Sequence, residues 1–218
     1  MRRPGLAIVL LLVLIAGGWM AVVTAAQQEP DLAAAEQHMT AFINAVVVFT
    51  KGVHLDEKRL QNVLANMDSL NRLDNDGNGD KLADRAFSEG RYDFNIIIKD
   101  PKYAGWCKQH GLDPTSFFKD LMRLETLIMQ TQVTQQLDAA RAQMPAQRKQ
   151  LEAMKDKIGE PAYKQALASF DRGMASLERT AKQIQRIPPA TDVETSLLAK
   201  YGSQIATAMG DQEGDATQ

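Results

Sequence analysis

Apolar side chains recur at alternating steps of four and three from Tyr163 through Leu167, Phe170, Met174, Leu177 and Ala181 to Ile184. That spacing sets them in one stripe along a helix, three heptads long, and such a stripe has to be covered by something. The chain itself offers a cover. Val133, Leu137, Ala140, Leu151, Met154 and Ile158 fall on one side of the stretch from Gln132 to Ile158, and Glu160-Pro161 restarts the helix just beyond it. The pattern predicts an antiparallel helical hairpin that projects from, or folds onto, the rest of the chain. A stripe this short is intramolecular packing more often than a dimer seam.

The remaining segments also have helical periodicity. Leu32, Ala35, Met39, Phe42, Ile43, Val46 and Phe49 share a face, with Asp31 as the expected cap. Leu60, Val63, Leu64, Met67 and Leu70 share another, opened by Asp56. A third helix is expected over Leu82 to Lys99, weakened at Gly90, with Tyr92, Phe94 and Ile96 to Ile98 buried. Asp100-Pro101 and Asp113-Pro114 repeat the acid-proline start seen at Glu160-Pro161, since proline suits the first helical position and an acid complements the helix dipole. Phe117, Phe118, Leu121, Met122, Leu124, Leu127, Ile128 and Met129 nearly encircle the helix that follows, which marks it as the central core element; Pro145 should break or kink it. After Pro188-Pro189, Thr191 and Glu194 form a capping box that opens the last helix, through Leu197, Leu198, Tyr201, Ile205 and Met209. The expected class is all-α: a single-domain helical bundle with a long antiparallel C-terminal hairpin, preceded by a signal segment.

That segment is residues 1–26. Arg2 and Arg3 precede an uncharged stretch from Leu6 to Val23, and Thr24-Ala25-Ala26 supplies the small residues a signal peptidase accepts. The alternative is a retained anchor through residues 6–23, slightly short of the about 20 residues a span needs. Either way the expected location is outside the cytosol, periplasmic or extracellular. The helical domain is then 27–209, with N-terminal helices over 31–110 and the hairpin and last helix over 113–209. Residues 210–218, polar and glycine-bearing, read as a disordered tail.

Composition narrows the function classes. The net charge is −2, and losing Arg2 and Arg3 makes the mature chain more acidic, which argues against nucleic acid as a partner. Cys107 is the only cysteine, so no internal disulfide supports the fold and the apolar core must carry it.

One loop has the composition of a metal site: Asp74-Asn75-Asp76-Gly77-Asn78-Gly79-Asp80-Lys81-Leu82-Ala83-Asp84. It resembles the start of an EF-hand or dockerin-type calcium loop. The resemblance implies oxygen ligands from Asp74, Asp76 and Asn78, a sharp turn at Gly79 and a carbonyl ligand from Asp80. Asp84 would close the shell if the loop is one residue tighter. The loop departs from the pattern at Lys81, where an apolar residue belongs, at Leu82, which has no oxygen to offer, and at Arg85, where a bidentate glutamate belongs. The competing reading is a polar turn in which Asp80 caps the next helix. Calcium is the one cofactor the sequence suggests.

Other motifs are weaker. Cys107 and His110 share a helical face, but no further Cys or His cluster completes a metal set. Ser116-Phe117-Phe118-Lys119 matches the Ser-x-x-Lys of penicillin-recognising enzymes, yet no Lys-Thr-Gly partner exists and both phenylalanines belong to the core. Methionines 39, 67, 122, 129, 144, 154, 174 and 209 fall mostly on apolar faces, as core filling or as an adaptable client-binding surface. The leading expectation is an exported, non-catalytic helical protein acting through an unidentified protein partner, adaptor- or chaperone-like. A calcium-binding helical module is second and an enzyme third.

Overall fold

The computed structural model describes residues 29–75 and 86–209. The apolar segment, most of the 74–84 loop and the tail lie outside them. The described chain is almost wholly helical: seven helices and one two-stranded hairpin. In order these are α1 (Glu29–Phe49), α2 (Glu57–Asn75), β1 (Phe87–Ser88), β2 (Arg91–Tyr92), α3 (Asn95–Ile98), α4 (Pro101–Gln109), α5 (Pro114–Ile158), α6 (Glu160–Ile184) and α7 (Asp192–Met209).

Helix starts follow local chemistry. Asp56 Oδ1 accepts from the Arg59 N–H at 2.8 Å, Asp100 Oδ1 from Lys102 at 2.9 Å and Tyr103 at 3.3 Å, and Asp113 Oδ1 from Ser116 at 2.7 Å. Each satisfies amide donors that the first helical turn leaves without partners. The Thr191–Glu194 box closes in both directions: Glu194 N–H to Thr191 Oγ1 at 3.2 Å and Thr191 N–H to Glu194 Oε2 at 2.9 Å. The described part of α1 starts at Glu29, so Asp31, the expected cap, lies within the helix.

Three expectations are corrected. Residues 87–94 form no helix, and only the single turn Asn95–Ile98 does. Phe87 pairs with Tyr92 and Ser88 with Arg91 in an antiparallel hairpin. Its two turn residues, Glu89 and Gly90, both have positive φ, at 51° and 74°. A two-residue hairpin turn demands that backbone, and glycine supplies it without strain. Ile96, expected to be buried, is 42% exposed on the short helix that follows. Pro145 does not end α5, which runs unbroken across it. Proline forfeits one backbone bond, and the apolar stripe that α5 shares with α6 runs on either side of it, through Leu137 before and Leu151 and Met154 after.

The chain divides into two compact units, one holding residues 41–130 and 186–209, the other 29–40 and 131–185. In the first, Leu60, Val63 and Met67 of α2, Tyr103, Trp106 and Cys107 of α4, Phe117, Phe118, Leu121 and Leu124 of α5, and Leu197, Tyr201 and Ile205 of α7 form one buried cluster. Aromatic rings tie it together: Phe49 lies 5.1 Å from Phe94 and 5.7 Å from Phe118, and Phe117 lies 5.4 Å from Trp106.

In the second unit, α5 beyond Gln130 pairs with α6. Arg141 meets Glu178, Arg148 meets Asp171 and Lys155 meets Glu160, so rising numbers on one helix match falling numbers on the other. That is an antiparallel pair, joined through Gly159 at φ 80°. Val133, Leu137, Leu177, Ala181 and Ile184 are buried at one end, whereas Met154, Ile158, Tyr163, Leu167 and Phe170 toward the turn are only partly covered.

Candidate functional site

Of the sequence-predicted calcium ligands, Asp74 lies in the last turn of α2. Asp76, Asn78, Asp80 and Asp84 lie outside the described residues. Among the described residues no three His, Cys, Asp or Glu side chains converge as a metal-holding group. Cys107 and His110 do not act together. The thiol is buried in the core, where desolvation raises its pKa, while the imidazole is exposed.

Three places gather chemistry in the first unit. One is an apolar groove of about 430 Å3, with Ala41, Ala45, Val48 and Phe49 of α1 on one wall and Tyr92 and Phe94 on the other. The wall of α1 follows from helical spacing, since residues three, four and seven apart share a face. The opposite wall exists because the hairpin turn at Gly90 brings Tyr92 and Phe94 back toward α1, where Phe42 stands 5.5 Å from Tyr92 and 6.1 Å from Phe94. Val48 is 76% exposed, more than any other large apolar side chain among the described residues. Arg91, exposed, sits on the rim.

The second place joins α2 to α4. The Trp106 indole N–H donates to Ser69 Oγ at 2.9 Å, Ser69 Oγ lies 3.2 Å from His110 Nε2, and His110 Nδ1 lies 2.9 Å from the Trp106 carbonyl. Donor rules fix the protons in the neutral ring. A carbonyl only accepts, so Nδ1 carries the hydrogen and Nε2 is the acceptor for the Ser69 hydroxyl. The imidazole lies 4.7 Å from the indole ring, tilted by 33°. Beside Trp106 a cavity of about 330 Å3 opens between Leu73 of α2 and Pro101, Lys102, Gly105 and Gln109 of α4.

The third is a buried ionic hub. Arg123 and Glu194 side chains, 1% and 0% exposed, meet at 2.7 Å through Nη2 and Oε2, with Nε to Oε1 at 2.8 Å. The guanidinium also donates to the carbonyls of Pro188 and Pro189 at 2.8 and 2.9 Å, and Glu194 Oε1 accepts the Leu55 N–H at 3.0 Å. Burial opposes ionisation of Glu194, but Arg123 and the Thr191 and Leu55 amides outweigh it and pull the pKa down to about 2. Two residues on from Arg123, the partly buried Glu125 has no such partner, and desolvation pushes its carboxyl up to about 7. Asp120 is buried as well. Its Oδ2 lies 3.5 Å from Arg59 Nε, its Oδ1 makes no hydrogen bond, and desolvation raises its pKa.

Sequence reasoning identified Glu194 only as a cap residue, and missed Ser69 and Arg123. Their partners stand 41 and 71 positions away, beyond the reach of any local pattern. No protein-family model, no curated protein and no solved structure matches this chain. Among the described residues, no helix is long and apolar enough to cross a membrane.

Proposed function

We propose that this is an exported helical protein that works in the cell envelope or periplasm by binding another protein, in an adaptor- or chaperone-like role. The observation that carries this reading is the α1 groove. Val48 stands exposed not alone but on one wall of a concave space with Ala41, Ala45, Phe49, Tyr92 and Phe94, and such an apolar concavity is a place for a partner's side chain. Arg91 and Asp93 both line the groove, but the Asp93 carboxylate is engaged by the Asn95 amides, which leaves Arg91 to favour a partner that presents an apolar residue next to a carboxylate. Export rests on residues 1–26, with retention through residues 6–23 as the variant of that reading. The test places a photo-crosslinking residue at Val48 in the full chain in cells. The expected result is a discrete adduct that disappears in Arg91→Glu. No adduct, or one indifferent to Arg91, overturns the reading.

The second reading is a calcium-ordered helix junction at 74–84. It is favoured by α2 running to Asn75, so that Asp74 closes the helix entering the loop. Calorimetric titration of calcium into residues 27–218, repeated on Asp76→Ala, tests it. Saturable heat lost in the variant supports the site, and no heat at millimolar calcium removes it.

A further inference from the structure

We propose that Ser69 is an activated nucleophile, with His110 as its base, that reacts with small acyl esters. It is carried by an observation independent of the groove. A serine hydroxyl is a weak nucleophile unless a base within hydrogen-bond reach takes its proton, and the base works only if its other nitrogen is held in the right tautomer. Both conditions are met. His110 Nε2 lies 3.2 Å from Ser69 Oγ, and the Trp106 carbonyl, 2.9 Å from Nδ1, keeps Nε2 free to accept. Trp106 contributes twice, because its indole N–H at 2.9 Å from Oγ also fixes the orientation of the hydroxyl, leaving its hydrogen directed at His110 Nε2. Ser69 stands on α2 and His110 caps the C-terminus of α4, where its Nδ1 is tied to the Trp106 carbonyl, so the end of a helix rather than a free loop sets the geometry.

The adjacent cavity suits the substrate. Leu73 and Trp106 offer an apolar wall for a short acyl chain, and Trp106, which lines the cavity and holds Ser69 Oγ, joins that space to the nucleophile. Gly105 keeps room there, for a side chain built on it would meet nothing within 4 Å. The sequence of bonds follows. Ser69 Oγ attacks the ester carbonyl carbon while its proton passes to His110 Nε2. The carbon–oxygen bond to the alcohol breaks, and the alcohol leaves with that proton. Water then attacks the acyl-serine, gives a proton to His110, and releases the carboxylic acid as Ser69 recovers its hydrogen. The balance is ester plus water to acid plus alcohol, with no oxidant or cofactor.

The test exposes the full chain to a fluorophosphonate and, separately, to p-nitrophenyl acetate, and locates adducts by peptide mass spectrometry. The expected result is one adduct on Ser69, absent in Ser69→Ala and formed about a hundredfold more slowly in His110→Gln, in keeping with the loss of a positioned base. Thermal melts of both variants separate lost reactivity from lost fold, and the wild-type chain alone already decides whether Ser69 reacts. Gly105→Leu, which fills the cavity, should slow acylation by the ester more than labelling by the smallest fluorophosphonate. No adduct on Ser69, or one that forms equally fast without His110, overturns the proposal.

Discussion

The two units handle charge in opposite ways. In the unit of residues 41–130 and 186–209, Arg123 and Glu194 are sealed from water and every polar atom of the pair finds a partner among backbone and side-chain groups. In the hairpin, Arg148 and Asp171 also pair, but both side chains are 50% exposed, and Arg141–Glu178 is equally open. The chemistry is the same and the consequences are not. A sealed pair is held by what surrounds it and cannot lose one member without leaving a bare charge in the core. An open pair is shared with water and salt. The first therefore ties α5, the Pro188-Pro189 bend and the start of α7 into one arrangement, whereas the second decorates two helices held by their apolar stripe.

Removal of one hub partner should give the largest effect. Arg123→Met leaves Glu194 buried and unpaired, and is expected to cost about 3–5 kcal/mol of stability in denaturant melts. Arg148→Ala in the hairpin is expected to cost at most about 1 kcal/mol, part of it from the contact of its guanidinium with the Phe170 ring. Equal losses would erase the distinction between the units. Arg123→Met with Glu194→Leu sharpens it further: the double variant should recover much of the loss, because the cost lies in the uncompensated charge.

Two carboxyls of the same unit give the next effect, through pH. Glu194 is held at about 2 against an ordinary 4.5. A depressed folded value means stability that is present above pH 4.5 and lost as the pH falls toward 2. Glu125 is pushed the other way, to about 7. In the window between 4.5 and 7 the folded chain holds a proton that the unfolded chain has released, so stability falls as pH rises through it. Melting temperature should thus peak near pH 4.5 to 5. Glu125→Gln should remove the decline on the alkaline side, a gain of about 1–2 kcal/mol at pH 8 and none at pH 4. A variant that gains equally at both values would show that Glu125 is not protonated in the folded chain.

How much of this was legible beforehand depended on sequence distance. The caps at Asp56, Asp100 and Asp113 and the Thr191–Glu194 box were readable because donor and acceptor lie within three residues. The stripe from Tyr163 to Ile184 was readable because a helix turns its own period into a face. The β-hairpin is only half written in the sequence: Gly90 suits positive φ, but Glu89 before it is not one of the residues (Asn, Asp, Gly) that announce a two-residue turn. Nothing local marks Arg123 or Ser69, because the groups that give them meaning arrive only when the chain folds.

The smallest effect asks whether the two units unfold together. Gly173 lies inside α6 and Gly202 inside α7, and a methyl group at either position would meet nothing within 4 Å. Neither has a positive φ, so alanine fits both backbones without strain. Each substitution should stabilise its helix by about 0.5–1 kcal/mol, mainly by narrowing the unfolded ensemble. If unfolding is one cooperative event, both raise the same transition by similar amounts. If the hairpin opens first, Gly173→Ala slows hydrogen exchange only in residues 131–185 and Gly202→Ala only in the other unit. The second pattern is expected. The hub and the aromatic cluster bind one unit internally, while the hairpin's apolar stripe is only partly covered from Met154 to Phe170.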